Sequence, residues 1–422
     1  MTESKPSSHA YLAWAGIAFF FLYQYVLRVA PGLVEPELRS TFFMTANDFS
    51  TLGSYFMFFY AIMQIPCGVL IDRLGVKRVV LTSIILCIIG NGMLIVGNSL
   101  WEAQVSRIFM GLGAACAYVG CLKVAADNFP SATRGLFMGA ALTIGLFGPL
   151  IAAKPLVYLI ETTNWRYAFT VLSAAGVTLW FCLVIIMPKE EKINKNATLK
   201  MSDITQSISM VFKIRPLLAY AIMTTCFYSP LSVIADLWGI SFLVNHFNLP
   251  RANAANITMQ IYVGAAVSGL IVPWLCEKYK AYNKGIFYSA VGMILCLSTM
   301  LYNGSLSIIS LIIILISIGI FSSSEILCFS AASHYTTPET SGTVLGVINT
   351  FSVVGSACIM QLVGFLLDCK WCGKLGCDGV RLYGSCEYIF ALSSILFFVC
   401  GLSIIAFFIY RLGKQLNQEE IN

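Results

Sequence analysis

Apolar side chains run through this sequence in long blocks separated by short polar turns, and each block is long enough to cross a hydrocarbon core as a helix. Twelve such spans are predicted, over residues 11–34, 50–71, 79–97, 101–123, 134–160, 167–187, 216–245, 255–276, 285–303, 306–331, 341–367 and 387–411. Two of them frame the clearest pattern. From Phe49 to Ile71 and again from Val79 to Leu100 no side chain is charged, whereas the turn between them holds Asp72, Arg73, Lys77 and Arg78. Charges at that density leave the hydrocarbon, so the turn is interfacial. The longest polar stretch, 188–215, carries Lys189, Lys192, Lys195, Lys200, Lys213 and Arg215. It reads as a linker between an amino-terminal six-helix bundle over 1–187 and a carboxy-terminal bundle with a short tail over 216–422. The first apolar run lacks a small-residue cleavage site and reads as a retained helix.

Composition agrees with this pattern. Of 422 residues 58% are hydrophobic and 11% charged, with mean hydropathy +0.81; soluble domains carry about 25% charged residues. The fold class expected is an all-α integral membrane protein of twelve transmembrane helices in two pseudo-symmetric six-helix bundles. The net charge of +6 implies no nucleic-acid partner, because the basic residues concentrate in loops. With the amino terminus inside, 16 basic residues fall in cytoplasmic segments and 6 in external ones. Both termini are therefore expected in the cytoplasm, and the compact loops suggest a bacterial inner membrane. The three histidines, His9, His246 and His334, are far apart and form no metal-ligand or triad spacing. No cofactor, no metal and no enzymatic activity are expected.

The turn Gly68-Val-Leu-Ile-Asp72-Arg73-Leu-Gly75-Val-Lys77-Arg78 resembles, as G-x-L-x-D-R-x-G-x-K-R between two spans, the loop signature of the major facilitator superfamily of transporters. Gly68 is read as letting two helices approach closely, and Asp72 as accepting from a neighbouring helix N-terminus. Glu277-Lys278, 205 positions after Asp72-Arg73, with Pro273 in place of the glycine, is read as a degenerate echo in the second half. The resemblance implies that these residues form a cytoplasmic gate. In the fourth span Arg107-Ile-Phe-Met-Gly111-Leu-Gly113-Ala-Ala is similar to a superfamily pattern whose arginine is linked to proton coupling; a structural arginine bound to backbone carbonyls is the other reading. Gly145-x-x-Gly148-Pro149 resembles an antiporter motif but continues Leu-Ile-Ala-Ala instead of with glycines, so helix packing explains it as well. Phe20 to Arg28 with Pro31, Gln64-Ile-Pro66 and Leu237-Trp238-Gly239 look like a bacterial branch containing organic-anion, sugar-phosphate and amino-acid permeases, the intraphagosomal amino-acid permeases among them.

Ionisable side chains inside spans are costly and mark function by default. Besides Arg107 these are Arg28, Lys154, Asp236 and Glu325, with Lys123 and Asp127 reading as a local pair four residues apart. At about 1.5 Å per residue Arg28 and Lys154 lie roughly 9 Å, and Asp236 roughly 14 Å, below the outer surface. The superfamily resemblance places these five spans around a central cavity. Cations from the first half suit a carboxylate or phosphate, and an acid from the second suits an ammonium or a proton. Substrate contact is expected from Arg28, Lys154, Asp236, Tyr23, Tyr25 and Trp238, and proton coupling from Arg107, Asp236 and Glu325. A simple ion pair of Arg28 or Lys154 with Asp236 is the structural alternative. Pro155 and Pro230 are expected to kink their helices.

Most of the fifteen cysteines lie singly in spans, but Cys369, Cys372, Cys377 and Cys386 share one external loop and read as one or two possible disulfides. The function expected is proton-coupled symport of a small anionic or zwitterionic solute, by a monomer in a lipid bilayer, through alternating access. Efflux by antiport is one rival and a transporter-shaped nutrient sensor another.

Overall fold

The structure, a computed structural model, describes residues 8–187, 201–279 and 281–419. Among them there is no strand beyond an isolated bridge between Leu375 and Arg381. Eleven helical segments are long and apolar enough to cross a membrane, and a bent helix makes the twelfth. The chain clusters into two compact units, Met1–Leu199 with Asp378–Val380 and Lys200–Cys377 with Arg381–Asn422.

The first unit contains α1 (Ser8–Leu33), a short α2 (Glu35–Phe42), α3 (Ala46–Leu74), α4 (Val76–Val96), α5 (Leu100–Ala114), α6 (Cys116–Asn128), α7 (Ser131–Thr162) and α8 (Trp165–Ile186). Polar caps mark where spans begin. Thr45 with Asp48 and Ser99 with Glu102 close reciprocal capping boxes on α3 and α5, satisfying amide groups that the helices cannot. The α3 span bends by 54° between Gln64 and Pro66, where the proline ring denies the ladder one donor. The fourth span is two helices, α5 and α6, meeting at Ala115. The core is an interface of small residues: a Cβ at Gly148 would stand 2.6 Å from the Leu22 carbonyl oxygen, and one at Gly113 2.5 Å from that of Ser83. Outward positions are apolar too, with Phe19, Ile89, Phe181 and Ile185 exposed, as a lipid-facing surface requires.

The second unit contains α9 (Met201–Lys213), α10 (Arg215–Pro230), a π-helical segment over Leu231–Trp238, α11 (Gly239–Phe247), α12 (Arg251–Thr258), α13 (Gln260–Lys278), α14 (Tyr282–Tyr302), α15 (Ile308–Ser322), α16 (Glu325–Ser333), α17 (Pro338–Lys370) and α18 (Ser385–Glu419). Part of the stretch read as a linker is thus helical. α9 buries Ser207 and Val211 and sets Phe212 edge-on to Phe351 of α17; Lys189, Lys192, Lys195 and Lys200 lie outside the described residues. The seventh span passes from α10 through the π segment into α11. Pro230 has no amide hydrogen, and downstream the Gly239 amide reaches back five residues to the Ile234 carbonyl. The eighth span breaks at Met259 and the tenth at Ser323 and Ser324.

Candidate functional site

The turn between α3 and α4 is built on one glycine. Gly75 alone separates α3 from α4, at φ +89° and ψ 154°, a conformation open only to a residue without a Cβ. Gly68 does the opposite of what its place in the motif suggests: a Cβ there would meet nothing within 4 Å, so no close helix approach depends on it. Asp72 does not cap a helix N-terminus among the contacts described. Its carboxylate pairs with the Lys123 ammonium at 3.0 Å, and Lys123 also reaches Asp127 at 3.4 Å. Lys123 therefore ties α3 to α6 as well as forming the local pair read from its spacing. Lys77 donates to the carbonyls of Val184, at 2.8 Å, and Met187, closing the carboxyl end of α8 where a cation is favoured. Arg73 and Arg78 are exposed. In the second unit Glu277 is exposed and Lys278 lies over the rings of Trp274 and Tyr279; the echo is a cation–aromatic turn.

Inside the first unit the arginines divide. Arg107, 1% exposed, donates to the carbonyls of Leu52 at 3.1 Å, Leu27 at 3.0 Å and Arg28 at 3.3 Å, and its guanidinium stands 4.5 Å from the Phe56 ring centre. That is the carbonyl-bound geometry of a structural arginine. Arg28 is also buried, 5.5 Å over the Tyr25 ring, and lies within electrostatic reach of the Tyr60 hydroxyl, which bonds to Gln64. Tyr25 packs edge-on to Phe21, which stacks on Tyr118 of α6. Tyr23 points elsewhere: its hydroxyl end lies where a Cβ on Gly176 of α8 would be, so it packs between α1 and α8. Lys154 is exposed on α7 and, among the described residues, makes no hydrogen bond or ion pair.

In the second unit the π segment carries Asp236 and Trp238, both buried. The Tyr262 hydroxyl, from the first turn of α13, donates to the Asp236 carboxylate. Trp238 packs at 6.1 Å against Tyr388, and Tyr388 at 6.5 Å against Tyr383, whose hydroxyl donates to Asp368 at 2.5 Å. Glu325 opens α16 and accepts from the Ser352 hydroxyl of α17 at 2.6 Å. Tyr262 and Ser352 were not legible in the sequence, because one tyrosine or serine among many in apolar spans carries no spacing signal.

The segment between α17 and α18 is held by polar and ring contacts. Cys369, Cys372, Cys377 and Cys386 are all exposed, and no two of them are bonded in the structure. Arg381 pairs with Asp368 at 3.0 Å and lies 4.5 Å from the Trp371 ring centre, and the Trp371 indole donates to the Lys374 carbonyl. The Cys372 thiol is engaged with Glu387, whose hydrogen bond and charge push it up from the ordinary thiol range. Among the described residues no group of three or more His, Cys, Asp or Glu side chains could hold a metal.

Comparison with known proteins places this arrangement. The family profile of the Major Facilitator Superfamily matches residues 12–359. Among curated relatives, the uncharacterized transporter YybO of Bacillus subtilis is 26% identical over 46% of this chain and 45% of its own length, so that match spans less than half of each. The gentisate transporter of Corynebacterium glutamicum is 21% identical over 83% of this chain and 79% of its own, and the hexuronate transporter of Bacillus subtilis 23% over 67% and 69%. Among solved structures, a bacterial homologue of the human lysosomal transporter Spinster, inward-facing and unoccupied, superposes with TM-score 0.78 at 14% identity, covering 96% of this chain and 98% of that one. The nucleoside transporter NupG gives 0.76 at 12%, over 94% and 98%. These two share the fold. With a family match along most of its length and the helical architecture to go with it, the chain belongs to the Major Facilitator Superfamily and is a multi-pass membrane protein.

Proposed function

We propose that this transporter carries a small organic acid, either a simple anion or a zwitterion such as an amino acid or short peptide, by proton-coupled symport with alternating access. One observation carries the reading: two spans each bury an ionisable group of opposite sign, Arg28 in the first unit and Asp236 in the second. A buried guanidinium is a strong recognition group for a carboxylate or phosphate. A buried carboxyl is a group whose charge a proton removes, and burial makes the neutral state cheaper. The relatives that carry gentisate and hexuronate support a carboxylate-bearing cargo. Lys154, Tyr25 and Trp238 complete the proposed substrate contacts, and Glu325 is a second acid within the spans. The geometry of Arg107 favours a structural part for that residue over proton coupling, and that of Tyr23 favours packing over substrate contact.

The test is uptake into proteoliposomes of labelled gentisate, hexuronates, amino acids, dipeptides and sugar phosphates, with and without an inward proton gradient. Accumulation of one class that the gradient stimulates is expected. In Asp236→Asn the gradient should no longer accelerate uptake, while downhill exchange persists. Gradient-driven uptake that survives this substitution with its pH dependence intact removes Asp236 from the mechanism. Efflux of a dye, with no solute accumulated, replaces symport by antiport.

A further inference from the structure

One face of α1 carries more than the buried arginine. Ile17, Phe21, Gln24 and Arg28 recur every three or four residues and so share a side of the helix. That side is turned to the fourth span: Ile17 lies 3.3 Å from where a Cβ on Gly120 would stand, Phe21 stacks on Tyr118, and the Leu27 and Arg28 carbonyls accept from Arg107. Gln24 is 1% exposed, and its carboxamide oxygen accepts no hydrogen bond. Buried acceptors are met by a donor in the great majority of cases. Tyr23 and Asn91 also hold a buried oxygen without a partner, but both are turned to α8, Tyr23 at Gly176 and Asn91 through its amide nitrogen at Phe169 and Ser173. Gln24 stands one turn from Arg28 on the same face. Tyr60 and Gln64 of α3, beside Arg28, bond to each other; the Gln24 oxygen has no such neighbour.

We infer that Gln24 is a specificity-determining residue: its oxygen accepts a hydrogen bond from a hydroxyl or ammonium group close to the cargo's carboxylate, so that hydroxy or amino acids are taken in preference to the same acids without that group. The inference rests on the proposal that this face, with Arg28, is part of the cargo site. Residues one helical turn apart carry their Cβ atoms about 5–6 Å from each other. A carboxylate held by the guanidinium therefore brings a substituent on the neighbouring carbon within reach of the carboxamide. A site built around an acceptor rejects the analogue that lacks the donor, because binding that analogue leaves the oxygen buried and unmet. The carboxamide is neutral, so it discriminates through a hydrogen bond without adding a charge that would repel the carboxylate.

Binding is measured by isothermal titration on purified wild type and Gln24→Met, with sets of acids that share one skeleton: phenylalanine, 3-phenyllactate and 3-phenylpropionate, then glutamate, 2-hydroxyglutarate and glutarate. Methionine keeps the length of the side chain and lacks the acceptor; a monodisperse elution profile verifies the fold, and Gln24→Leu is the second variant. In wild type the member with the hydroxyl or the ammonium should bind about tenfold more tightly than the bare acid, and which of the two does so separates hydroxy-acid from amino-acid cargo. In Gln24→Met that preference should shrink to about twofold or less. A preference that survives both substitutions, or bare acids bound by wild type as tightly as their substituted partners, overturns the inference. If Arg28→Met leaves every affinity unaltered while the preference still depends on Gln24, the anion-binding assignment of Arg28 falls and the inference about Gln24 stands. Failure of every acid to bind wild type overturns both.

Discussion

Three carbonyl oxygens from two helices converge on the Arg107 guanidinium, and its five donors in a planar fork explain why no lysine would serve there. Arg107→Lys keeps the charge but cannot reach all three acceptors. It should cost about 1–3 kcal/mol through the buried groups left unmet, seen as a lower unfolding midpoint in detergent. Lost transport at an unchanged midpoint would instead give Arg107 a part in coupling. Arg28, Arg107 and Asp236 were all legible as buried charges, since each interrupts an apolar run. What each does was not, because a partner on another helix leaves no trace in local spacing. Tyr262 and Lys123 show the same limit: one was unremarkable in the sequence, and the other had a local partner that concealed its bond to Asp72.

Helices and their ends were the most readable elements, and the irregularities inside them the least. The turn at Gly75 stands out in the motif and is confirmed by its positive φ, whereas Gly68 in the same motif faces open space. Gly75→Ala should therefore cost about 1–3 kcal/mol of backbone strain, while Gly68→Ala should be neutral or gain about 0.5–1 kcal/mol from helix propensity. Thermal unfolding of the two variants, measured side by side, checks the contrast. Pro230 announced a disruption, but a proline does not state that a π turn will follow; Pro155, expected to kink its span, lies inside one continuous α7, and the bend falls at Pro66 instead. The breaks at Ala115, Met259 and Ser323 carry no proline and no charge. They arise where packing and side-chain hydrogen bonds compete with the ladder, as Ser323 bonded to Ser268 and the Ala265 carbonyl illustrates.

The molecule as a whole is a pair of compact helical units, with the unbonded thiols of Cys372 and Cys377 exposed between α17 and α18, outside the spans. With both termini cytoplasmic, as the charge bias proposes, a membrane-impermeant maleimide should label the peptide containing Cys372 in intact cells. Labelling only in inverted vesicles would reverse the topology. Because Glu387 pushes the Cys372 thiol up, less thiolate is present at neutral pH. Labelling of Cys372 should thus rise with pH, and Glu387→Gln should accelerate it near pH 7. Span number, membrane class, basic-loop bias and superfamily were readable from the chain alone, since apolar run length and the exclusion of charge from hydrocarbon are properties of consecutive residues. The Asp236–Tyr262 contact, the carbonyl cage of Arg107, the Asp72–Lys123 bridge and the unpaired cysteines depend on how each helix is rotated and broken against its neighbours. Those rotations are fixed by packing among residues far apart in the chain, so no local pattern could have specified them.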